Sequence, residues 1–114
     1  MESDLKKVGN LLSAGVDVNE SFWNNGNTPL HIAAKDDDTN LLVLLLKYNP
    51  KLDSKNDNGF TPLFLAAAIS GNADTCKILI DAGATVNITD VFHSPIHWAA
   101  RNNHQEVYEL LMSI

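Results

Sequence analysis

The 114-residue chain has little of what several classes of protein require. Its single cysteine, Cys76, excludes an intrachain disulfide and lies in an apolar helical pattern, where a small core residue fits. Its longest apolar run, residues 41–46, is far too short to span a bilayer. The amino terminus lacks the basic and apolar regions of a secretory signal. We therefore expect a cytoplasmic or nuclear protein.

Positive charge is also scarce, because eight Lys and Arg face 14 Asp and Glu and the formal net charge is −6. Phosphate binding needs a basic stripe, whereas these few cations are scattered, which argues against a nucleic-acid partner. A protein partner with a basic surface fits the balance better. The densest charge run, residues 36–38, is interpreted either as a solvated turn or as an acidic docking spot.

The residue patterns of catalytic sites are missing as well. The chain has no glycine-rich phosphate loop, no nucleophile elbow, and no Cys/His pair with a third group to orient it. His93, His97 and His104 follow one another at steps of 4 and 7, but they match no compact zinc signature. We predict no enzymatic activity, no metal and no cofactor.

The chain does contain one segment that is repeated three times. Thr-Pro-Leu-His-Ile-Ala-Ala at 28–34 recurs in similar form at 61–67 and 94–100, with a step of 33 residues. A hydroxyl residue followed by proline is typical of a helix start, because the hydroxyl accepts a hydrogen bond from the first turn and proline lacks the N–H that would stay unpaired. Each copy predicts a short helix, and each is followed by a second apolar helical pattern.

This pattern resembles the ankyrin repeat, for which a 33-residue period and the motif T-P-L-H-x-A are typical. The resemblance covers nearly the whole chain. It implies an all-α fold, a solenoid of stacked helix-turn-helix units with β-hairpin fingers. We expect a single domain, residues 1–114, composed of an N-terminal half repeat at 1–19, repeat 1 at 20–53, repeat 2 at 54–87 and a truncated repeat 3 at 88–114.

Residues that tolerate a left-handed backbone separate the predicted helices. The outer helices are expected to end at Gly15, Asn49 and Gly83. The turns inside the repeats are expected at Asp37, Gly71 and Asn103. Repeat 2 has one residue more than the other repeats ahead of this turn, and the spacing places the extra residue within 68–70.

The resemblance also implies where a partner would dock, because inner helices and fingers of this family line a concave face. Three rows of positions on this face recur with the repeat, and Phe60 and Trp98 are the best candidates because large aromatic side chains most often anchor interfaces. The alternative is that these aromatics cover a neighbouring repeat. The rows are Asn27, Phe60 and His93; Ile32, Leu65 and Trp98; and Lys35, Ala68 and Arg101; Trp23 and Phe92 extend the rim at the finger tips.

Two further expectations come from the resemblance alone. At the fourth motif position of this family, the imidazoles of His31 and His97 brace neighbouring backbone. Asn19 and Asn87 each follow a valine and fit the pattern that an asparaginyl hydroxylase modifies in ankyrin repeats. The alternative for both asparagines is that they only shape a turn.

We therefore predict a non-catalytic scaffold that binds a partner protein through the concave face. The alternative is a structural spacer or capping fragment of a larger ankyrin-repeat protein whose activity lies in another domain. The sequence stops inside the last outer helix, without a polar capping repeat. Self-association through this uncapped end is a further possibility.

Overall fold

In the computed structural model, the residues described are 9–10, 12–15, 17–21, 25–86 and 94–114. They include six α-helices and one π-helix and no β-strand, so the prediction of an all-α array is confirmed in these ranges. The second finger, residues 51–60, consists of turns and extended backbone, and no β-hairpin is seen there. The helices are α1 Pro29–Lys35, α2 Thr39–Leu46, α3 Pro62–Phe64, π1 Leu65–Ser70, α4 Ala73–Ala82, α5 Pro95–Arg101 and α6 Gln105–Met112.

The helices form two stacked layers in a body measuring 40 × 24 × 21 Å. The inner layer runs from α1 through α3 and π1 to α5, and the outer layer from α2 through α4 to α6. The motif alanines keep the inner helices close together, because their side chains add little bulk between neighbouring repeats. The core between the layers includes Leu30, Ala33, Ala34, Leu41, Leu42, Leu45, Leu63, Ala66, Ala67, Leu79, Ala99 and Val107.

The inner helices begin where the motif predicts, with proline as the first residue of each. Thr28 and Thr61 cap their helices, and Thr61 Oγ1 accepts a hydrogen bond from the Phe64 amide at 3.1 Å. Ser94 also stands at the N-cap of its helix, as predicted, but the expected capping bond of its hydroxyl is not seen. Its backbone enters the helix at a ψ of 117°, whereas the two threonines enter at 168° and 164°.

All six left-handed positions predicted from the sequence are confirmed by positive φ angles. They include two asparagines and Asp37, which tolerate this conformation better than most residues with a side chain. The acidic run is therefore partly structural: Asp37 makes the turn, and Asp38 caps α2 by accepting a hydrogen bond from the Leu41 amide at 3.0 Å.

The extra residue of repeat 2 is taken up inside its inner helix. In repeats 1 and 3, the amide of the residue before the outer helix donates a hydrogen bond to the carbonyl of the first motif alanine, five residues earlier. These bonds run from Asp38 to Ala33 and from His104 to Ala99. In repeat 2 the same bond runs from Asn72 to Ala66 and spans six residues. The bond is kept and the helix inside it widens to π1, which is how a π-turn accommodates one added residue.

His31 is buried and joins repeat 1 to repeat 2. Its Nδ1 accepts a hydrogen bond from the Thr28 amide at 3.1 Å, and its Nε2 donates to the Phe60 carbonyl at 2.8 Å. These two partners require a neutral ring with its proton on Nε2. The bracing role that the resemblance implies is thus seen for His31.

The burial of His31 predicts a loss of stability in mild acid. Burial lowers the pKa of the imidazole, and the hydrogen bond to the Phe60 carbonyl opposes this only in part. In the unfolded chain the pKa of this histidine is about 6.5, so the unfolded state takes up the proton first as the pH falls. The contribution of His31 to the free energy of unfolding is therefore complete above that pH, and it decreases as the pH drops towards the pKa of the folded state. Urea midpoints measured from about pH 8 to about pH 5 should fall more steeply for the wild type than for His31→Phe, which copies repeat 2. Equal slopes of the urea midpoint against pH for the two proteins would contradict this prediction.

A second prediction concerns Gly71, whose φ is +67°. A Cβ there would lie 2.6 Å from Cδ2 of His104, whose ring is held by a 2.8 Å bond from Nδ1 to the Ala67 carbonyl. Gly83 is the matched control, because its φ is +112° but a Cβ would meet nothing closer than Leu52 at 3.7 Å. Gly83→Ala should cost about 1–2 kcal/mol of unfolding free energy from backbone strain, and Gly71→Ala about 1–3 kcal/mol more from the clash. Equal urea midpoints for the two variants would show that the clash is relieved.

Candidate protein-interaction surface

The finger of repeat 2 is organised by Asn56, a residue that the sequence analysis did not single out. The Asn56 side-chain oxygen accepts hydrogen bonds from the amides of Asn58 and Phe60, each at 3.0 Å. Its side-chain nitrogen donates to the side-chain oxygen of Asn27 at 2.9 Å, which ties this finger to repeat 1. The Asn56 side chain therefore holds the backbone of Phe60 within the finger and joins the finger to repeat 1.

From Phe60, a row of rings leads across repeat 2 to repeat 3. The rings of Phe60 and Phe64 stack with centroids 4.3 Å apart, and Phe64 meets Trp98 edge to face at 6.4 Å. The guanidinium of Arg101 lies 5.3 Å from the centre of the Trp98 ring, within the range of a cation–π contact. These contacts connect a finger, two inner helices and one cation.

The row is part core and part surface. Phe64 is only 3% exposed, whereas Phe60 and Trp98 are half-buried. Phe60 and Trp98 thus cover Phe64 and still reach solvent, and their role as interface anchors stays a prediction. The sequence analysis left Phe64 out of the surface, although a phenylalanine at the histidine position of the motif was a visible signal.

Two positions in the first two predicted rows are not available to a partner. Asn27 is 2% exposed and is held by Asn56, and Leu65 is 5% exposed within π1. Ile32 is half-buried, and Lys35 and Arg101 are exposed. Three predicted residues, Trp23, Phe92 and His93, lie outside the described residues.

The third row differs from its prediction at the middle repeat. Ala68 is 2% exposed, whereas its expected counterparts Lys35 and Arg101 face solvent. Ile69, the next residue, is 55% exposed. A π-turn holds one residue more than an α-turn, so Ala68 is rotated inward and Ile69 takes the outward place. We define the inner-helix surface as Ile32, Lys35, Phe60, Ile69, Trp98 and Arg101.

His97 differs from His31 although both occupy the same motif position. It is exposed, its ring meets Trp98 edge to face at 6.0 Å, and it makes no hydrogen bond within the described part of the chain. The bracing role is therefore not seen for His97. The reason lies in the partner: His31 is held by a carbonyl of the following finger, and no described residue offers one to His97.

Asn19 has a structural contact that suits its turn-shaping role. Its side-chain oxygen accepts a hydrogen bond from the Lys51 amide at 2.7 Å, and Asp53, one repeat later, accepts from the Thr85 amide at 2.9 Å. These side chains link the start of one finger to the next repeat. Asn87 lies outside the described residues.

The remaining chemistry of the described residues is sparse. Cys76 is buried, and burial raises the pKa of its thiol to about 12, as suits a core residue. Asp37, Asp74 and Glu106 help to line a polar pocket of about 290 Å³ at the turns, yet no group of His, Cys, Asp or Glu in the described ranges could hold a metal ion. No described helix is both long and apolar enough to cross a membrane.

Comparison with known proteins identifies the family. A family model described as ankyrin repeats (3 copies) matches residues 2–90 and 67–114, which together span nearly the whole chain. The chain belongs to the ankyrin-repeat family. Ankyrin repeats are generally modules for protein–protein interaction and are typically non-enzymatic.

The relatives are much longer proteins. The chain is 33% identical over 108 residues to an ankyrin repeat protein of Fowlpox virus, a match that covers 90% of this chain and 32% of the viral protein. It is 36% identical to neurogenic locus notch homolog protein 2 of Homo sapiens over 104 residues and 37% identical to homolog protein 1 of Xenopus laevis over 106. Each of these matches covers 90% of this chain and 4% of the relative.

The burial of the rings predicts that Phe64 contributes more to the free energy of unfolding than Trp98. Phe64→Ala should cost about 3–5 kcal/mol of unfolding free energy, because it removes a buried ring between two others. Trp98→Ala should cost about 1–2 kcal/mol, since its ring is already partly in water. Urea denaturation of both variants at neutral pH measures the difference. A larger loss for Trp98→Ala than for Phe64→Ala would mean that Trp98 is a core residue and not part of a surface.

Proposed function

We propose that this chain is a non-catalytic module that binds a partner protein through its inner-helix surface. The observation that carries the proposal is the row from Phe60 through Phe64 to Trp98 and Arg101. Its two ends reach solvent while its centre is buried. Trp and Arg are among the side chains that most often dominate binding energy at protein interfaces.

Rigidity supports the same function. Phe60 is held by the finger hydrogen bonds of Asn56, and Trp98 is held between Phe64 and Arg101. Side chains that are already ordered lose little conformational freedom when a partner docks, which favours affinity. The expected cytoplasmic or nuclear location stays a prediction.

The charge of the partner depends on the surface it meets. The expectation of a basic partner rests on the net charge, and the carboxylates of Asp37, Asp74 and Glu106 at the turns suit such a partner. The inner-helix surface instead presents Lys35 and Arg101. A partner on this surface would meet positive side chains in an acidic protein.

Site-specific photo-crosslinking tests the proposal. A photoreactive amino acid in place of Ile32 should give crosslinked partner bands in lysate of the native host, and Trp98→Ala in the same chain should weaken them about tenfold or more. The same amino acid in place of Tyr48, which is exposed in the outer layer, is the matched control and should give no such band.

Two further measurements complete the test. Val43→Ala, on the exposed side of α2, should leave the bands unchanged. Unfolding midpoints confirm that each variant is folded at the temperature of the experiment. Bands of equal strength from Tyr48 and Ile32, or bands insensitive to Trp98→Ala, would reject the inner-helix surface as the binding site.

A second candidate function is a structural segment that stacks on another repeat unit. The end of α5 carries a pocket of about 120 Å³ lined by residues that include Ala100 and Asn103. At the equivalent places of repeats 1 and 2, side chains of the following repeat fill the space. Light scattering after size exclusion would detect self-association through this face, and a constant monomer mass over a wide range of concentration would reject self-association.

A further inference from the structure

We propose that the added residue of repeat 2 creates a docking site for an extended acidic protein segment. An apolar side chain of this segment covers Ile69, and two carboxylates meet Lys35 and Arg101. The inference rests on the proposed function and names the class of partner for the same surface. The residue at the centre of this site, Ile69, belongs to the insertion in repeat 2 and not to the repeat pattern.

The position of Ile69 follows from the way the inner helix of repeat 2 ends. The amides of Gly71 and Asn72 both donate to the Ala66 carbonyl, at 2.8 and 3.3 Å, which holds the additional residue within π1. In this widened turn Ile69 is 55% exposed, whereas Ala68 is buried. Large apolar side chains in the described ranges rarely show so much surface, and this one projects from the middle of three stacked helices.

Two cations end the inner helices on either side of π1. Lys35 and Arg101 occupy the last residue of α1 and of α5, and both are exposed. In the part of the chain that the structure describes, neither side chain forms an ion pair. Arg101 is also positioned by Trp98, at 5.3 Å from the ring centre. The middle repeat thus offers an apolar contact between two cations that form no ion pair with any described residue.

The distance between the two cations sets the length of the segment that can contact both. Packed helices lie about 8–10 Å apart, so the two cations, separated by two repeats, are roughly 16–20 Å apart. An extended chain advances about 3.3 Å per residue, so roughly five or six residues span this distance. Because side chains of an extended chain alternate between two faces, the fitting segment has acidic residues about six positions apart and an apolar residue two or four positions after the first of them. A helical partner of the same reach would need about twelve residues between its two carboxylates, so the spacing of the carboxylates distinguishes the two kinds of partner.

A displayed library of random peptides of about twelve residues tests the proposal without knowledge of the natural partner. Selection on the immobilised full chain should enrich peptides with two Asp or Glu at the stated spacing around an apolar residue. The affinity of an enriched peptide is then measured by fluorescence anisotropy. Binding should weaken about tenfold or more with Lys35→Glu/Arg101→Glu, and it should weaken with added salt.

Deletion of Ile69 is the decisive variant. It restores the spacing of repeats 1 and 3 and should close π1 into an α-helix without loss of stability, while peptide affinity falls about tenfold. Ile69→Ser keeps the chain length and serves as the second variant if the deletion does not fold. Val43→Ala is the matched control for a lost exposed apolar side chain and should bind normally.

Three outcomes would overturn the inference: no acidic enrichment, a carboxylate spacing near that of a helix, or unchanged affinity after Ile69→Ser in a folded chain. Crosslinking from Ile32 that depends on Trp98, with peptide binding indifferent to Ile69, would leave the proposed function standing and reject only this inference. Loss of the crosslinks themselves would count against the proposed function.

Discussion

The carbonyl groups at the ends of the inner helices of repeats 1 and 2 constrain the array, because the following repeat supplies their hydrogen-bond donors. Ser70 Oγ donates to the carbonyls of Ala34 and Lys35, at 3.1 and 2.7 Å. One repeat later, Asn102 Nδ2 donates to the Ala68 carbonyl at 2.8 Å. The last carbonyls of a helix have no partner within it, and leaving them buried and unpaired is costly. The turns of successive repeats must therefore stay in register.

This register explains why an additional residue widens a helix instead of lengthening a loop. The start of the inner helix in repeat 2 is fixed by Thr61 and its proline, and its end by the contact of Gly71 with His104. A longer turn would move Ser70 and Gly71 away from both neighbouring repeats. A π-turn changes only the residues between these fixed ends. Its consequence is local: Ala68 turns inward and Ile69 outward.

The sequence predicts well what depends on single residues and badly what depends on a neighbouring repeat. Proline fixes the helix starts, and glycine, asparagine or aspartate fixes the turns, so these positions were predicted correctly. His31 and His97 have the same motif position but different surroundings, because only His31 receives a carbonyl from the next finger. Asn27 looked free on the repeat pattern, yet Asn56 from the next repeat binds it.

The inner-helix surface illustrates the same dependence. The register correctly picked out Phe60 and Trp98 as partly exposed, but the buried Phe64 that joins them could not be recognised as their support without the packing. Ile69 was seen in the sequence as part of an insertion, and only the π-turn decides which residue of that insertion faces solvent. Side-chain direction after an insertion is set by tertiary contacts.

Net charge is a poor guide to what such a surface binds. The value of −6 is a sum over the chain, whereas a docked segment responds to charges within about one Debye length, roughly 8 Å at physiological ionic strength. Several carboxylates lie at the turns, where Asp37 and Asp38 shape the backbone. Lys35 and Arg101 end the inner helices, where cations stabilise the helix dipole. The stacking of the inner helices thus places two exposed cations at the helix ends of an acidic protein.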